Sequence, residues 1–219
     1  MGHAIRNAAG VILAGGENTR MPVPKAFINV EGQRIIERNI GVIKTLFSET
    51  FIITNHPEMY ASFEVTLLGD VYDIRCPMTG IVTALMNSSK PWVFISACDM
   101  PFISKRLISY MATQRTLGDA VIPSAYGGKA EPLFGFYSRR LLPSMEKELL
   151  RHNWGLSDFL KNKRVQYITM KEIKIHDPRV LCFINLNRPE DITRYLTPRD
   201  IMRFKEQVIR RNNVRSGSN

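Results

Sequence analysis

The heptapeptide Gly10-Val11-Ile12-Leu13-Ala14-Gly15-Gly16 is the strongest structural signal in this chain. Its apolar first half predicts a buried strand. The paired glycines predict a sharp turn directly after it, because a residue without a Cβ allows unusual backbone angles and a close ligand. Two cations, Arg20 and Lys25, follow. Exposed N–H groups at such a turn, with an arginine and a lysine nearby, suit a polyphosphate. The stretch therefore indicates a nucleotide site after the first strand.

Apolar runs alternate with segments of helical periodicity along most of the chain. Strands are predicted at residues 10–13, 51–54, 65–68, 92–97, 120–123, 133–137, 165–169 and 182–184. Helices are predicted at residues 34–47, 79–87, 104–113, 139–150, 156–160 and 189–196. This alternation predicts an α/β fold with a single doubly wound, mostly parallel sheet and helices on both faces, a Rossmann-like architecture.

The length of 219 residues fits one α/β domain, which we place at residues 1–197, followed by a basic helix or tail at residues 198–219. No apolar run approaches the ~20 residues that span a bilayer, and the first ten residues lack the apolar stretch of a signal peptide. The three cysteines are scattered without a CxxC spacing, which argues for reduced thiols and against structural zinc. We therefore expect a cytoplasmic protein with no membrane partner.

The formal net charge of +10 is concentrated towards the end of the chain. Residues 194–219 contain seven lysine or arginine residues against two acidic ones, which is half of the excess. A basic tail can bind nucleic acid, but Phe204 is the only aromatic residue of 198–219 and no reader motif is present. A solvated basic helix is the favoured interpretation, and a general field that attracts anionic substrates is an alternative. We do not expect a nucleic-acid partner.

Polar side chains follow several predicted strands, at the edge where open parallel sheets bind ligands. Asn55, Asp70 and Asp99 follow three of them, and Asn185 and Asn187 follow the last. From its position alone, Asp99 could anchor Mg²⁺, which prefers one or two carboxylates together with substrate phosphates and water. It could equally be a turn residue before Pro101 or the cap of the next helix.

The glycine-rich stretch matches neither of the commonest phosphate loops. A P-loop requires Gly-Lys-Ser/Thr after four intervening residues, and the dinucleotide fingerprint requires a third glycine. The stretch resembles instead the signature of the molybdenum cofactor guanylyltransferases and their nucleotidyltransferase relatives. The matching residues are Leu13, Ala14, Gly15, Gly16, Arg20, Met21 and Lys25. Asn18 replaces the usual Ser, and Pro22 replaces the usual Gly, so one amide that could hold phosphate is lost.

The resemblance, which extends over residues 10–196, implies roles for the residues after the strands. Asp99-Met100-Pro101 matches the family's Asp-x-Pro, so Asp99 is implied as the Mg²⁺ ligand. Asp70, Asn55 and Gly80 of Pro77-Met78-Thr79-Gly80 are implied to contact the nucleotide, together with the glycine-rich loop. Arg20, Lys25 and Asp99 are the implied catalytic residues.

The last third of the chain carries the implied second-substrate residues. Glu131-Pro132-Leu133 resembles a family segment beside that substrate, and Asn185 and Asn187 match an Asn-x-Asn pair. Arg188 stands where the family has Thr. Neutral amides suit a pterin or a phosphate-bearing partner.

The resemblance implies an Mg²⁺-dependent guanylyltransferase that moves GMP from GTP to Mo-molybdopterin and releases pyrophosphate. GTP and the molybdopterin cofactor would be its partners, and molybdoenzyme apoproteins or their chaperones would be further candidates. A related enzyme using CTP or a sugar-phosphate acceptor is the alternative, although Gly15-Gly16 favours guanine. A nucleotide-binding delivery module without catalysis is an alternative of another class, favoured by Pro22 and the basic tail.

Overall fold

A computed structural model describes residues 4–16 and 21–216, with side chains throughout except at residues 126 and 213–216. The strands are β1 (Ala8–Leu13), β2 (Asn29–Val30), β3 (Gln33–Arg34), β4 (Thr50–Ile53), β5 (Thr66–Leu68), β6 (Trp92–Ala97), β7 (Ala120–Pro123), β8 (Phe134–Ser138) and β9 (Val165–Ile168). The helices are α1 (Ile35–Leu46), α2 (Pro77–Asn87), α3 (Lys105–Thr113), α4 (Leu142–Leu150), α5 (Leu156–Lys161), α6 (Met170–His176), α7 (Pro189–Tyr195) and α8 (Pro198–Ser216).

Seven strands form one sheet in the order β5-β4-β1-β6-β8-β7-β9, which confirms the predicted fold class. β8 runs antiparallel to β6 and β7, and the other pairs are parallel. Consecutive residues of a strand point to opposite faces. Ile12 accordingly packs in a core with α1 and α3, whereas Val11 packs in a second core with α2 and α4. Helices therefore cover both faces of the sheet.

One predicted strand is wrong. Residues 182–184 do not join the sheet, and Leu181–Phe183 form a 3-10 turn instead. Cys182 and Phe183 are buried all the same, so their apolar character reflects packing against the core rather than strand pairing. Asn185 and Asn187 therefore follow a buried turn, not a strand end.

Two elements have no counterpart in the sequence prediction. Helix α6 begins at a capping box in which Thr169 accepts a hydrogen bond from the Glu172 N–H and Glu172 accepts one from the Thr169 N–H. The β2–β3 hairpin turns through Glu31 and Gly32, which both have positive φ. This two-residue turn of left-handed backbone matches the twist of the strands it joins.

The hairpin and the C-terminal helix share a third core. Its buried residues are Met21, Val23, Ile28, Val30, Ile35, Leu186, Ile192, Leu196 and Phe204. Phe204 of α8 thus packs against the segment that carries Lys25. The division of the chain at residues 197/198 stays a prediction. Over the described ranges 4–16 and 21–216, no helix combines the length and apolarity that crossing a membrane requires.

Candidate functional site

A cleft of about 490 Å³ opens at the carboxyl ends of β1, β4 and β6. Its walls include eight of the predicted site residues, namely Leu13, Gly15, Gly16, Lys25, Asn55, Asp70, Gly80 and Asp99. They come together because β4 and β6 flank β1 in parallel, so the segments after these strands meet at one edge. Arg20 and the neighbouring residues 17–19 lie outside the described residues. We call this space the nucleotide cleft.

The glycines serve close approach rather than a left-handed turn. Neither Gly15 nor Gly16 has positive φ, which corrects the expectation of unusual backbone angles. A Cβ at Gly15 would come within 3.8 Å of Asn55 Nδ2, and one at Gly16 would meet no atom within 4 Å. Both positions thus leave backbone open to the cleft. Ala14 lies behind the wall, where its N–H donates to the Ile53 carbonyl oxygen at 2.8 Å.

Gly80 lets α2 approach β1. A Cβ at this position would lie 2.8 Å from Leu13 Cδ2, which is closer than real side chains come. Pro77 occupies the first turn of α2 and also lines the cleft, so the positive end of the helix dipole lies beside it.

Asp70 and Asn55 form one polar unit on the β5 side of the cleft. Asn55 Nδ2 donates to Asp70 Oδ2 at 2.9 Å. Partial burial raises the pKa of Asp70, and the hydrogen bond from Asn55 lowers it by a smaller amount. The pair leaves the other carboxylate oxygen available to accept from a ligand.

Lys25 joins the nucleotide cleft to the C-terminal third of the chain. Its Nζ lies 3.2 Å from Asp99 Oδ2, and the two side chains are only 19% and 17% exposed. The same Nζ donates to Asn187 Oδ1 at 2.5 Å. A cation, a carboxylate and a neutral amide distant in sequence therefore meet at one point.

The backbone around Asp99 is held from several directions. The Cys98 N–H donates to the Leu13 carbonyl oxygen at 3.1 Å, and the Asp99 carbonyl oxygen accepts from the Leu186 N–H at 3.0 Å. The buried side chain of Asn39 donates to the Met100 carbonyl oxygen at 3.1 Å. These bonds fix the backbone that carries the Asp99 side chain. The neighbouring Cys98 thiol stays protonated, because burial raises its pKa to about 12.

The donor set fits a magnesium ion that takes most of its ligands from substrate and water. No group of three or more His, Cys, Asp or Glu residues capable of holding a metal occurs in residues 4–16 and 21–216. One carboxylate such as that of Asp99 is sufficient for Mg²⁺ when substrate phosphates and water complete the coordination. The Asp99 carboxylate pairs with Lys25 in this structure.

A second cleft of about 770 Å³ includes Asn187, the partner of Lys25, in its wall. It is lined by Arg179, Leu181, Phe183, Ile184, Asn185, Asn187, Arg188, Asp191, Arg194 and Tyr195. Asp191 Oδ2 accepts from the N–H groups of Asn187 and Arg188, each at 2.8 Å, so it is used within the loop. Arg194 lies over the ring of Tyr195 at 5.2 Å. We call this space the arginine cleft.

The other predicted second-substrate residues, Glu131 and Pro132, line neither cleft. The Glu131 N–H donates to the Pro123 carbonyl oxygen at 2.9 Å, and Pro132 accepts from the Tyr137 hydroxyl at 2.6 Å. Burial raises the pKa of the Glu131 carboxyl, and Lys129 lowers it less. Both residues support Leu133, which reaches the nucleotide cleft.

Sequence reasoning missed Arg75. This residue precedes α2 and lines the nucleotide cleft near Asp70. The rule that ligands bind after strands could have identified it, because it lies in the segment between β5 and α2. The Pro77-Met78-Thr79-Gly80 motif of this region begins two residues after Arg75.

Comparisons with known proteins agree with this geometry. A family model described as the MobA-like NTP transferase domain matches residues 10–167. A probable molybdenum cofactor guanylyltransferase from Natranaerobius thermophilus is 34% identical over 192 residues, covering 85% of this chain and 93% of its own length. A molybdenum cofactor guanylyltransferase from Desulfosudis oleivorans is 32% identical over 185 residues, covering 84% and 91%.

Solved structures share the fold. Molybdopterin-guanine dinucleotide biosynthesis protein A from Archaeoglobus fulgidus superposes with a TM-score of 0.75 at 21% identity, covering 85% of this chain and 95% of its own. A 4-diphosphocytidyl-2C-methyl-D-erythritol synthase from Anaerococcus prevotii gives a TM-score of 0.63 at 13% identity, covering 86% and 96%.

Proposed function

The chain belongs to the MobA-like NTP transferase family, and from this premise we propose that it transfers GMP from GTP to the phosphate of Mo-molybdopterin. An oxygen of the acceptor phosphate attacks the α-phosphorus of GTP. The bond between that phosphorus and the bridging oxygen breaks, and pyrophosphate leaves with the electron pair. A phosphate monoester is already ionised at neutral pH, so no strong general base is needed. Catalysis is then positioning and charge neutralisation.

The observation that carries the proposal is that Lys25, which lines the nucleotide cleft, donates to Asn187, which lines the arginine cleft. Its ammonium group contacts Asp99 on one side and Asn187 on the other. A transfer between two bound substrates needs a charge-neutralising group where they meet, because negative charge gathers around the α-phosphate. Lys25 meets this requirement through its contacts with one residue of each cleft, whereas a site for binding alone would not need such a link.

Asp99 would hold Mg²⁺ in the presence of nucleotide. Bound there, the metal would neutralise phosphate charge and orient the triphosphate. Asp99 would exchange its contact with Lys25 for the ion, which would release the ammonium group to the α-phosphate. The backbone at Gly15 and Gly16, together with Arg20, would hold the β- and γ-phosphates.

Asp70, Asn55 and Gly80 would recognise the nucleoside. A carboxylate accepts the N1–H and amino group of guanine, a pair of donors that cytosine lacks. Leu13 and Ala14 would shape the floor, and Arg75 would add positive charge at the rim.

The arginine cleft would hold the acceptor. Three arginines suit an anionic ligand, and Tyr195 under Arg194 offers a surface for a flat heterocycle. Asn185 and Asn187 would position the reacting phosphate. Glu131 and Pro132, which line neither cleft, would act only through Leu133 in the wall of the nucleotide cleft. A molybdoenzyme apoprotein or its chaperone would take the product. The three free cysteines suit a reducing compartment, and we place the enzyme in the cytoplasm.

The test compares the four nucleoside triphosphates in the presence of Mg²⁺. A ligand bound only by the native state raises the midpoint of thermal unfolding, and we expect the largest rise with GTP. Pyrophosphate release is then measured with Mo-molybdopterin present and absent. Release that depends on both substrates supports the transferase, whereas a larger shift with CTP favours the related cytidylyl enzyme. Binding of GTP without release, when acceptor is present, would show a delivery module instead.

A further inference from the structure

We infer that helix α8 is a positioning element for the segment that carries Lys25. The inference rests on the proposed function only for the role of Lys25. The helix lies beyond the residues 10–167 that match the family model, and nothing in the proposed reaction requires it. Its contacts nevertheless follow the chain from Pro22 to Glu31, directly after the glycine-rich loop.

Three side chains of α8 bind the backbone of this segment at successive points. Asp200 Oδ1 accepts from the Glu31 N–H at 2.9 Å. Gln207 Nε2 donates to the Phe27 carbonyl oxygen at 3.0 Å. Arg211 Nη1 donates to the Pro22 carbonyl oxygen at 2.7 Å.

These residues share one face of the helix. Asp200, Phe204, Gln207 and Arg211 follow the spacing of three or four residues that places side chains in a row. From Asp200 to Arg211 the helix rises by roughly 16 Å. It thus runs alongside the segment from Pro22 to Glu31, with Phe204 buried in the shared core.

Two residues just before Lys25 have no N–H group with which to be fixed. Pro22 and Pro24 flank Val23, and proline has no N–H. Carbonyl oxygens can serve as anchors here, and α8 supplies donors to those of Pro22 and Phe27, on either side of Lys25. The proline at position 22 therefore loses an amide, but its carbonyl is held by Arg211.

The start of α8 is itself fixed where it meets the hairpin. Asp200 is only 1% exposed, and its second oxygen accepts from the Thr197 hydroxyl at 2.8 Å. One carboxylate thus caps the helix and binds the Glu31–Gly32 turn. Helix α8 is therefore bonded to the chain on both sides of Lys25, at Pro22 and at Glu31. A displacement of α8 would for this reason displace Lys25.

The decisive variant is the double substitution Arg211→Met with Gln207→Leu. These replacements keep aliphatic volume and remove the two donors. Arg210→Met is the matched control, because Arg210 is exposed on the same turn and its loss changes the charge equally. Hydrogen exchange of the amides of residues 25–28 is measured without nucleotide, and GTP affinity is measured by calorimetry with Mg²⁺.

We expect exchange at residues 25–28 to accelerate about ten-fold in the double variant and GTP affinity to fall about ten-fold, on the scale of one net hydrogen bond to a charged group. The single variant Arg211→Lys should show exchange and GTP affinity close to those of the unmodified chain, because lysine also donates to a carbonyl. Exchange equal to that of Arg210→Met would overturn the inference. The exchange readout needs no turnover, so a failure of the proposed reaction would be distinguishable, as loss of pyrophosphate release by the unmodified chain.

Discussion

The two clefts that Lys25 and Asn187 link are built in different ways. The nucleotide cleft is formed by segments that directly follow β1, β4, β5 and β6, so the register of the sheet places its residues. The arginine cleft is formed by a turn and a short helix outside the sheet, and its position depends on packing of Phe183 and Leu186. The comparison teaches that strand register places the residues of the nucleotide cleft, whereas packing outside the sheet places those of the arginine cleft.

The largest effect is expected at Asp99, where the frame is most rigid. Asp99→Asn keeps the shape and removes the charge that would hold Mg²⁺. We expect the rate of pyrophosphate release to fall by about 10³-fold. Asp158→Asn is the control, because the exposed side chain of Asp158 pairs with Lys161. Near-normal turnover of Asp99→Asn would remove the nucleotide cleft from the reaction.

Loss of Lys25 should cost less, because other cations lie nearby. Lys25→Ala removes one charge-stabilising donor, and we expect kcat to fall by about 10²-fold. If Asp99 and Lys25 act on the same phosphates, as proposed, the rate of the double variant should fall by less than the product of the single effects. Fully multiplicative losses in a double-mutant cycle would show that the two residues act independently.

The same contrast explains how much the sequence could predict. Asp70 and Asp99 were identified because the edge of a parallel sheet gathers strand-end residues, and Asn187 because a motif resemblance pointed to it. The strand expected before Asn187 does not exist. Buried apolar residues at 182–184 give the same apolar run in a packed turn as they would in a strand. The docking of α8 could not be foreseen, because its polar contacts are to backbone atoms distant in the chain.

The arginine cleft is tested by a substitution towards the family pattern. Arg188→Thr removes a cleft-lining cation, and its backbone N–H can still bind Asp191. We expect the KM for Mo-molybdopterin to rise about ten-fold with the KM for GTP unchanged, on the scale of one charge-assisted hydrogen bond. Arg199→Thr, at an exposed position of α8, supplies the control for charge. An equal rise for both substrates would mean that the two clefts are not separate.

Asp70 distinguishes recognition of the base from recognition of the ribose. Asp70→Asn retains the bond from Asn55 but no longer accepts two hydrogen bonds through a carboxylate. If Asp70 reads guanine, GTP affinity should fall about ten-fold and affinity for the other triphosphates should change little. An equal fall for all four triphosphates would assign Asp70 to the ribose.

The smallest expected effect is that of Asp70→Asn on stability. We expect this substitution to stabilise the fold at pH 7 although it weakens GTP binding. Burial raises the pKa of Asp70 in the folded chain, so the native state holds this proton more tightly than the unfolded state does. The contribution of Asp70 to the free energy of unfolding is therefore most favourable at acid pH. It falls as the pH rises from the pKa of Asp70 in the unfolded chain through its higher pKa in the folded chain. Asp70→Asn removes that penalty, and its midpoint of thermal unfolding at pH 7 should rise by about 1–2 °C. At pH 3 the difference between the two proteins should vanish. A variant that is less stable than the parent at pH 7 would show that the carboxylate is held by the fold rather than reserved for the nucleotide.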